Sequence, residues 1–229
     1  MPRARLPEIT TPRPAEVALQ AMVDIAADAG WLHTALGAMS LTQMVSQGRF
    51  LDAPPLSDLP GMSAAAEEAL AARGLTHLAQ LVRLDAQALK RALGGTLGAR
   101  QLSELSGLLA TLPATELEAA PPPLAVEAGA DCAISVTVST GGRRARRSAF
   151  APAFPKARGG GWWLVMGEGD ELFALKRINL PSGSGSGPLK TELMMCAPEE
   201  PGVHECAVLL VSDSYIGRDQ QVTGRVGVR

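Results

Sequence analysis

Two aspartates near the carboxyl end of the chain come closest, in type and spacing, to a catalytic or metal-binding pair. Asp213 and Asp219 flank Tyr215 in the stretch SDSYIGRDQQ. Paired carboxylates can hold a cation or exchange a proton, but either task needs a third ligand or a base, and none follows in this stretch. We therefore predict that both carboxylates cap backbone amides of a turn, with Tyr215 packed beneath it.

The other residues that could do chemistry form no constellation. The histidines lie far apart, at His33, His77 and His204, and none has a partner at ligand spacing. The cysteines form no C-x-x-C pair, and their odd number favours free thiols: Cys132, Cys196 and Cys206. No G-x-x-x-x-G-K-[ST] motif is present, and the SGSGSG stretch at 182–187 indicates a flexible loop because a proline follows it. The sequence thus predicts no catalytic residue, no cofactor and no metal.

A group of basic residues is the feature most typical of contact with RNA or with a partner protein. Four arginines lie close after Gly141, and two more basic residues precede a tryptophan pair: Arg143, Arg144, Arg146, Arg147, Lys156 and Arg158. The pattern fits a solvated loop as well as a loop that faces a partner or RNA. The formal net charge of the chain is −2, which is not typical of a general polyanion binder, so we predict only weak RNA binding.

The first half of the chain is predicted to be helical. Pro14 suits the first turn of a helix and Gly30 its carboxyl-terminal cap, which predicts a helix over AEVALQAMVDIAADA. Polar residues four apart form a narrow acidic stripe on it: Glu16, Gln20, Asp24 and Asp28. Its other faces are apolar, which indicates packing on several sides. A second helix is predicted in HTALGAMSLTQMVSQGRF, with these core residues: Leu36, Leu41, Met44 and Val45.

Residues 56–113 indicate a compact set of short helices. Ser63, Thr76 and Asp85 are predicted amino-terminal caps, Gly74 ends the first of these helices, and LGARQLSELSGLLATL supplies the last. The Leu-Pro-Gly stretch followed by paired short helices resembles the helix–hairpin–helix pattern. Plain helix packing and binding of a nucleic-acid backbone both remain open.

After residue 113 the hydrophobic period changes to two. Cys132, Ile134, Val136 and Val138 alternate with smaller or polar residues, and further strands are predicted at 162–167, 171–178, 189–196, 204–212 and 220–228. Short strands at this spacing favour a β-sandwich.

The adjacent tryptophans in GGGWWLVMGEGDELFALKRINL must point to opposite faces of a strand. We predict Trp162 in the sandwich core, because Leu164 and Met166 share its face, and Trp163 at a junction with the helices. Trp31 is also expected to pack at a junction or in a core.

Four stretches carry a family resemblance. In order they are ALQAMVDIAADAGWL, LTQMVSQGRFL, FPKARGGGWWLVMGEGDELFALKRI and CAPEEPGVHECAVLLVSDSYIGRDQQ. Together they resemble the carboxyl-terminal part of the Sec63 homology unit, which follows the motor domains of large RNA helicases. The helicases of the activating signal cointegrator complex and of the spliceosome are the most similar branches. The resemblance covers residues 14 to 228 almost completely.

The resemblance implies an α+β fold in three parts behind a flexible lead-in at 1–13. These parts are the last helices of a helical bundle at 14–55, a helix–loop–helix domain at 56–113 and a fibronectin type III-like (immunoglobulin-like) β-sandwich at 114–229. The helix at 14–29 resembles the bundle's ratchet helix, which lines the RNA channel in relatives. Its acidic stripe would repel phosphate.

The resemblance also implies a function. The chain would be a non-catalytic accessory module of an ATP-dependent RNA helicase, in ribosome quality control, RNA processing or alkylation repair. It would brace the helicase motor domains and dock other subunits of a helicase complex, in the cytoplasm or the nucleus. The alternative is the soluble part of an endoplasmic-reticulum translocation subunit. That alternative should bring a membrane span, yet no apolar run is long enough and MPRARLPEITTPRP is no signal peptide.

Overall fold

The computed structural model describes residues 14–120, 125–141, 148–154, 159–180 and 187–229. Within them the chain forms six helices: α1 (Pro14–Asp28), α2 (Leu32–Gln47), α3 (Ala64–Ala71), α4 (Leu78–Leu81), α5 (Ala86–Leu93) and α6 (Ala99–Leu109). Seven strands occur: β1 (Ala114–Ala120), β2 (Asp131–Gly141), β3 (Trp162–Glu168), β4 (Glu171–Ile178), β5 (Leu189–Cys196), β6 (Gly202–Ser212) and β7 (Gln220–Val228). The fold is therefore α+β. None of the described helices is long and apolar enough to cross a membrane.

Helices α1 and α2 form an antiparallel hairpin whose ends are set by local sequence. The α1 helix starts at Pro14, and Gly30 adopts a left-handed φ of 74° just beyond its end. The amino terminus of α2 is capped from outside the helix by Asp170. Its backbone oxygen accepts from the Leu32 amide at 2.9 Å, and its carboxylate accepts from the His33 amide at 2.8 Å. Gly48 ends α2 with a φ of 63°.

The predicted core of α2 is wrong at Leu41 and Val45, whereas Leu36 packs against the cluster of α1, α2 and the sheet. Leu41 and Val45 are exposed, and Leu36 and Met44 are only half-buried. The buried face consists instead of Leu32, Ala35, Ala38, Met39, Thr42, Gln43, Ser46 and Gln47. The carboxyl-terminal half of α2 therefore turns polar residues inward, because polar backbone groups lie on the other side of this contact.

The short helices α3–α6 pack around leucines, and two of their predicted caps are confirmed. The Ser63 hydroxyl accepts from the Ala66 amide at 3.3 Å, and the Asp85 carboxylate accepts from the Ala88 amide at 2.7 Å. The predicted cap at Thr76 is one residue early, since His77 precedes α4 and the Gln80 side chain accepts from both amides. Gly74 has a φ of 71°, as expected at the end of a helix.

The strands form two antiparallel sheets packed face to face. One has the order β1-β2-β5 and the other the order β4-β3-β6-β7. The sequence does not predict strand β1, because acidic and small residues dilute its hydrophobic alternation and three prolines follow it. Its alternation of buried Thr115 and Leu117 with exposed Glu116 and Glu118 is typical of a strand. Strand β6 begins two residues earlier than predicted, at Gly202.

Three apolar clusters follow from this arrangement. The sandwich interior contains residues from both sheets, among them Ile134, Trp162 and Val208. A second cluster fills the space among α3–α6 and includes Tyr215 from the sandwich. The third joins α1 and α2 to the outer face of the four-stranded sheet. The two helical regions therefore both lean on the sandwich, through separate contacts.

Candidate functional site

The tryptophan pair lies at the centre of the contact between the sandwich and the α1–α2 hairpin. Trp162 points into the sandwich interior, whereas Trp163 packs on the other face against α1 and α2. Both rings are buried, with 2% and 1% of their surface exposed. The Arg177 guanidinium lies 4.6 Å from the Trp163 ring centroid, in cation–π geometry. Strand β3 is thus buried on both faces, as the alternation of its large side chains suggested.

The polar face of α2 contacts backbone carbonyls at the end of β6. Gln43 Nε2 donates to the Ser212 oxygen at 2.8 Å, and the Ser46 hydroxyl lies 3.1 Å from the Asp213 oxygen and 2.7 Å from the Thr42 oxygen of its own helix. Gln47 Nε2 donates to the Ser214 oxygen. Three successive carbonyls are therefore within hydrogen-bonding distance of side chains of one helix, in a region where unpaired acceptors would be costly. Sequence reasoning missed these residues, although their i, i+3, i+4 spacing in QMVSQ marks one helical face.

Asp213 holds the start of the turn after β6. It is 2% exposed, accepts from the Gly161 amide at 2.9 Å and forms an ion pair with Arg177. A Cβ on Gly161 would lie 2.6 Å from the Asp213 carboxylate, so the last glycine before the tryptophan pair permits this close approach. Asp213 thus joins the turn to β3 and β4.

Asp219 closes the same turn. Its carboxylate accepts from the Ser212 amide at 2.9 Å and from Gln43 Nε2 at 2.9 and 3.0 Å. Part of the residue is exposed, but burial around the carboxyl group raises its pKa, while these hydrogen bonds act in the opposite direction. Among the described residues no group of three or more His, Cys, Asp or Glu side chains could hold a metal ion.

The rest of the turn reaches the helices α3–α6 and strand β1. The Tyr215 ring is buried in the helical cluster, and its hydroxyl accepts from the Phe150 amide at 2.9 Å. The guanidinium of Arg218 donates to the Pro113 oxygen, where α6 gives way to β1, and burial lowers its pKa to about 10. Gln220 Nε2 donates to the Thr115 oxygen at 2.8 Å. Residues 212–220, hereafter the junction turn, therefore contact α2, the cluster of α3–α6, β1, β4 and the segment just before β3.

The side of the α1–α2 hairpin that faces away from the sandwich is apolar and exposed. We call it the outer face, and it comprises Val17, Met22, Ile25, Leu41 and Val45, each at least 41% exposed. The predicted acidic stripe covers only its rim, with Asp24 and Asp28 exposed. Glu16 and Gln20 are instead half-buried, and Gln20 accepts from Arg177 at 3.2 Å. The expectation that α1 would be packed on several sides is not met by the residues that the structure describes.

The remaining predicted residues are not brought into one site. Trp31 contributes its backbone to the junction by pairing with Glu171, but its ring is 53% exposed. The six basic residues predicted to contact RNA or a partner lie outside the described residues: Arg143, Arg144, Arg146, Arg147, Lys156 and Arg158. All three cysteines are free thiols, and burial raises the pKa of Cys206 to about 11. Cys206 is therefore protonated and unreactive at neutral pH.

Comparison with known proteins places this architecture among helicase-associated domains. A model of the Sec63 Brl domain matches residues 14–224. Over 211 residues the chain is 31% identical to the DExH-box ATP-dependent RNA helicase DExH14 of Arabidopsis thaliana, which covers 89% of this chain and 9% of the relative. It is 29% identical over 208 residues to the U5 small nuclear ribonucleoprotein 200 kDa helicase of Caenorhabditis elegans, with 89% of this chain and 9% of that protein covered.

The human protein of the same name is 26% identical over 214 residues, which cover 92% of this chain and 10% of the human one. The chain thus spans about a tenth of the length of these relatives. A solved structure of the alkylpurine DNA glycosylase AlkC of Pseudomonas fluorescens, bound to DNA with an abasic-site analogue, aligns with 98% of this chain and 57% of its own at 16% identity. Its TM-score of 0.26 is too low to indicate a shared fold.

Proposed function

The chain belongs to the Sec63 Brl domain family, and from that premise we propose that it is a non-catalytic accessory module of an ATP-dependent RNA helicase. In this proposal it braces the helicase motor domains and docks other subunits of a helicase complex, in the nucleus or the cytoplasm. The names of its relatives support the helicase context. The three-plus-four strand order also supports a fibronectin type III-like sandwich.

The observation that carries the proposal is the outer face of the α1–α2 hairpin. A helix at a free surface normally turns apolar residues inward and polar ones outward. Helix α2 does the opposite over its second half, with Gln43 and Gln47 buried and Leu41 and Val45 exposed. Several large apolar side chains exposed on two packed helices are typical of an interaction site. We infer that further helices of the parent helicase cover this face, so that the hairpin joins the sandwich to the motor domains.

The junction turn supports the bracing role. It ties α2, the helices α3–α6 and both sheets together through buried hydrogen bonds and the Tyr215 ring. A domain whose elements are fastened to one another at several points can hold the proteins on its two sides in a fixed relative orientation. In this proposal the chain holds the parts of the helicase in place, and the motor domains hydrolyse ATP and unwind RNA.

A binding experiment tests the proposal. The chain is mixed with the motor domains and upstream helices of its parent helicase, and the complex is measured by size-exclusion chromatography with light scattering. The double variant Ile25→Asp/Leu41→Asp should lose the complex, because two charges would be buried in an apolar contact. The control is Val203→Asp, which changes an equally apolar residue that is 72% exposed on the sandwich.

Retention of the complex by the double variant would show that docking does not use the outer face. Circular dichroism of both variants separates lost docking from lost folding. ATP hydrolysis by the isolated wild-type chain that disappears on mutation of this chain would contradict the non-catalytic role.

A further inference from the structure

A groove lies beside the edge strands of the two sheets, at the end of the sandwich away from the junction turn. Strands β4 and β5 are edge strands of their sheets. Between the β3–β4 turn and the β5–β6 loop they leave a cavity of about 550 Å³, within the usual range for a ligand pocket. We call the apolar part of its lining the floor, and this part includes Phe173, Ala197 and Pro198. An apolar floor at the edge of two sheets suits a partner segment laid along it.

The rim of this groove is acidic. Four exposed carboxylates line it: Glu168, Glu171, Glu199 and Glu200. No Lys or Arg is among the described lining residues, and no ion pair to these four occurs within the described parts of the chain. The nearby Asp170 and Glu205 do have partners, in His33 and Arg225. Among the described residues, the groove therefore carries a concentrated negative charge without a neighbouring Lys or Arg to balance it.

Strand pairing adds to this imbalance. Glu168 and Glu171 stand directly opposite each other in the β3–β4 register, and like charges in that position destabilise a hairpin. His204 also lines the groove, and its Nε2 lies 2.8 Å from the Glu200 backbone oxygen. A cation from outside would relieve the repulsion.

We propose that this groove binds a Lys- or Arg-bearing segment of a partner protein. The stems of such side chains are apolar and would cover Phe173 and Pro198, while their charged ends would meet the glutamates. A bare metal ion does not fit this description, because the described residues contain no group of three ligands that could hold one. RNA does not fit either, because the carboxylates repel phosphate. The groove is separate from the outer face of α1–α2, so this proposal stands apart from the helicase docking proposed above.

Fluorescence anisotropy with a defined probe tests it. The full chain is titrated into a fluorescein-labelled peptide built from repeats of Lys-Ala-Leu-Arg, with a Glu-Ala-Leu-Glu peptide as the reference. The basic peptide should bind and the acidic one should not. The double variant Glu199→Gln/Glu200→Gln should weaken binding about fivefold to tenfold, the effect expected for two exposed ion pairs. A probe with Ser in place of Leu should also bind less well, because it cannot cover the apolar floor.

The matched control removes the same charge elsewhere. Glu116 and Glu118 are exposed on β1, and Glu116→Gln/Glu118→Gln should change binding less than about twofold. The variant Ile25→Asp/Leu41→Asp should bind the peptide as the wild type does, whatever its effect on helicase docking. Equal losses in the two glutamate double variants would overturn the proposal, because they would indicate only diffuse charge. Absence of peptide binding by the wild type, or a preference for single-stranded RNA, would overturn it as well.

Discussion

Helices α1 and α2 lie across the outer face of the four-stranded sheet, whereas α3–α6 reach the sandwich through one inserted ring and the segment beside it. The first contact is broad and mixed: Trp163 packs among aliphatic residues, and three side chains of α2 bind successive carbonyls. The second concentrates on Tyr215, with its hydroxyl bound to the Phe150 amide. A broad contact can lose one bond and keep its geometry, while the second relies on fewer side chains, with Tyr215 as its largest buried one.

The largest expected effect distinguishes the interior of the sandwich from its contact with α1 and α2. Trp162→Ala should lower the free energy of unfolding by about 3–5 kcal/mol and increase hydrogen exchange throughout both sheets. Trp163→Ala removes an equally buried ring, but from the face of β3 that packs against α1 and α2. Its main effect should therefore be faster hydrogen exchange in α1 and α2. Exchange in β2 and β5 should increase less. If both variants accelerate exchange in β2 and β5 to the same extent, the two faces of β3 are not separate units.

A change in α2 tests the polar half of the first contact. Gln43→Leu keeps the side-chain volume but removes the donor to the Ser212 oxygen and to Asp219. We expect a loss of about 1–3 kcal/mol in chemical denaturation, because buried acceptors are left without a donor. The control, Gln87→Leu, lies at an exposed position of α5 and should be nearly neutral. A neutral Gln43→Leu would show that these hydrogen bonds do not contribute to stability.

The second contact is tested by removing one atom. Tyr215→Phe keeps the ring in the helical cluster but removes the acceptor for the Phe150 amide. The expected loss is about 1 kcal/mol in thermal unfolding, typical of one net hydrogen bond, with exchange increased in α3–α6 and not in α1–α2. Increased exchange in α1–α2 would instead mean that both contacts open together.

The smallest expected effect depends on pH and concerns Asp219. Burial raises the pKa of its carboxyl group in the folded chain, so the folded state holds this proton more tightly than the unfolded state. Its ionisation therefore costs stability as pH rises from about 3.9, the ordinary value for an aspartate, through the raised value. Asp219→Asn removes this dependence. Relative to the wild type, the variant should become more stable as pH rises from about 3 to 7, and a constant difference would contradict the assigned direction.

Local elements were predictable from this sequence because their signals are local. Residues within a few positions of each other determine the bounds of α1 and the caps at Ser63 and Asp85. They also determine that the two tryptophans point to opposite faces of β3. The buried face of α2 was not predictable in this way. Gln43 binds a carbonyl 169 positions away, and the apolar pattern of α2 does not show that Leu41 and Val45 remain exposed. Strand β1 escaped because acidic and small residues dilute its alternation.

The exposed outer face also bears on the order in which such a molecule is assembled. Because α2 fastens to the sandwich through its polar side, the chain can complete its own fold before any partner arrives. Until then Ile25, Leu41 and Val45 remain accessible to solvent, and surfaces of this kind attract chaperones, proteases and other unfinished chains. In the proposed complex these side chains would be covered. In a chain without its partner they would stay exposed, so chaperones would retain that chain or proteases would degrade it.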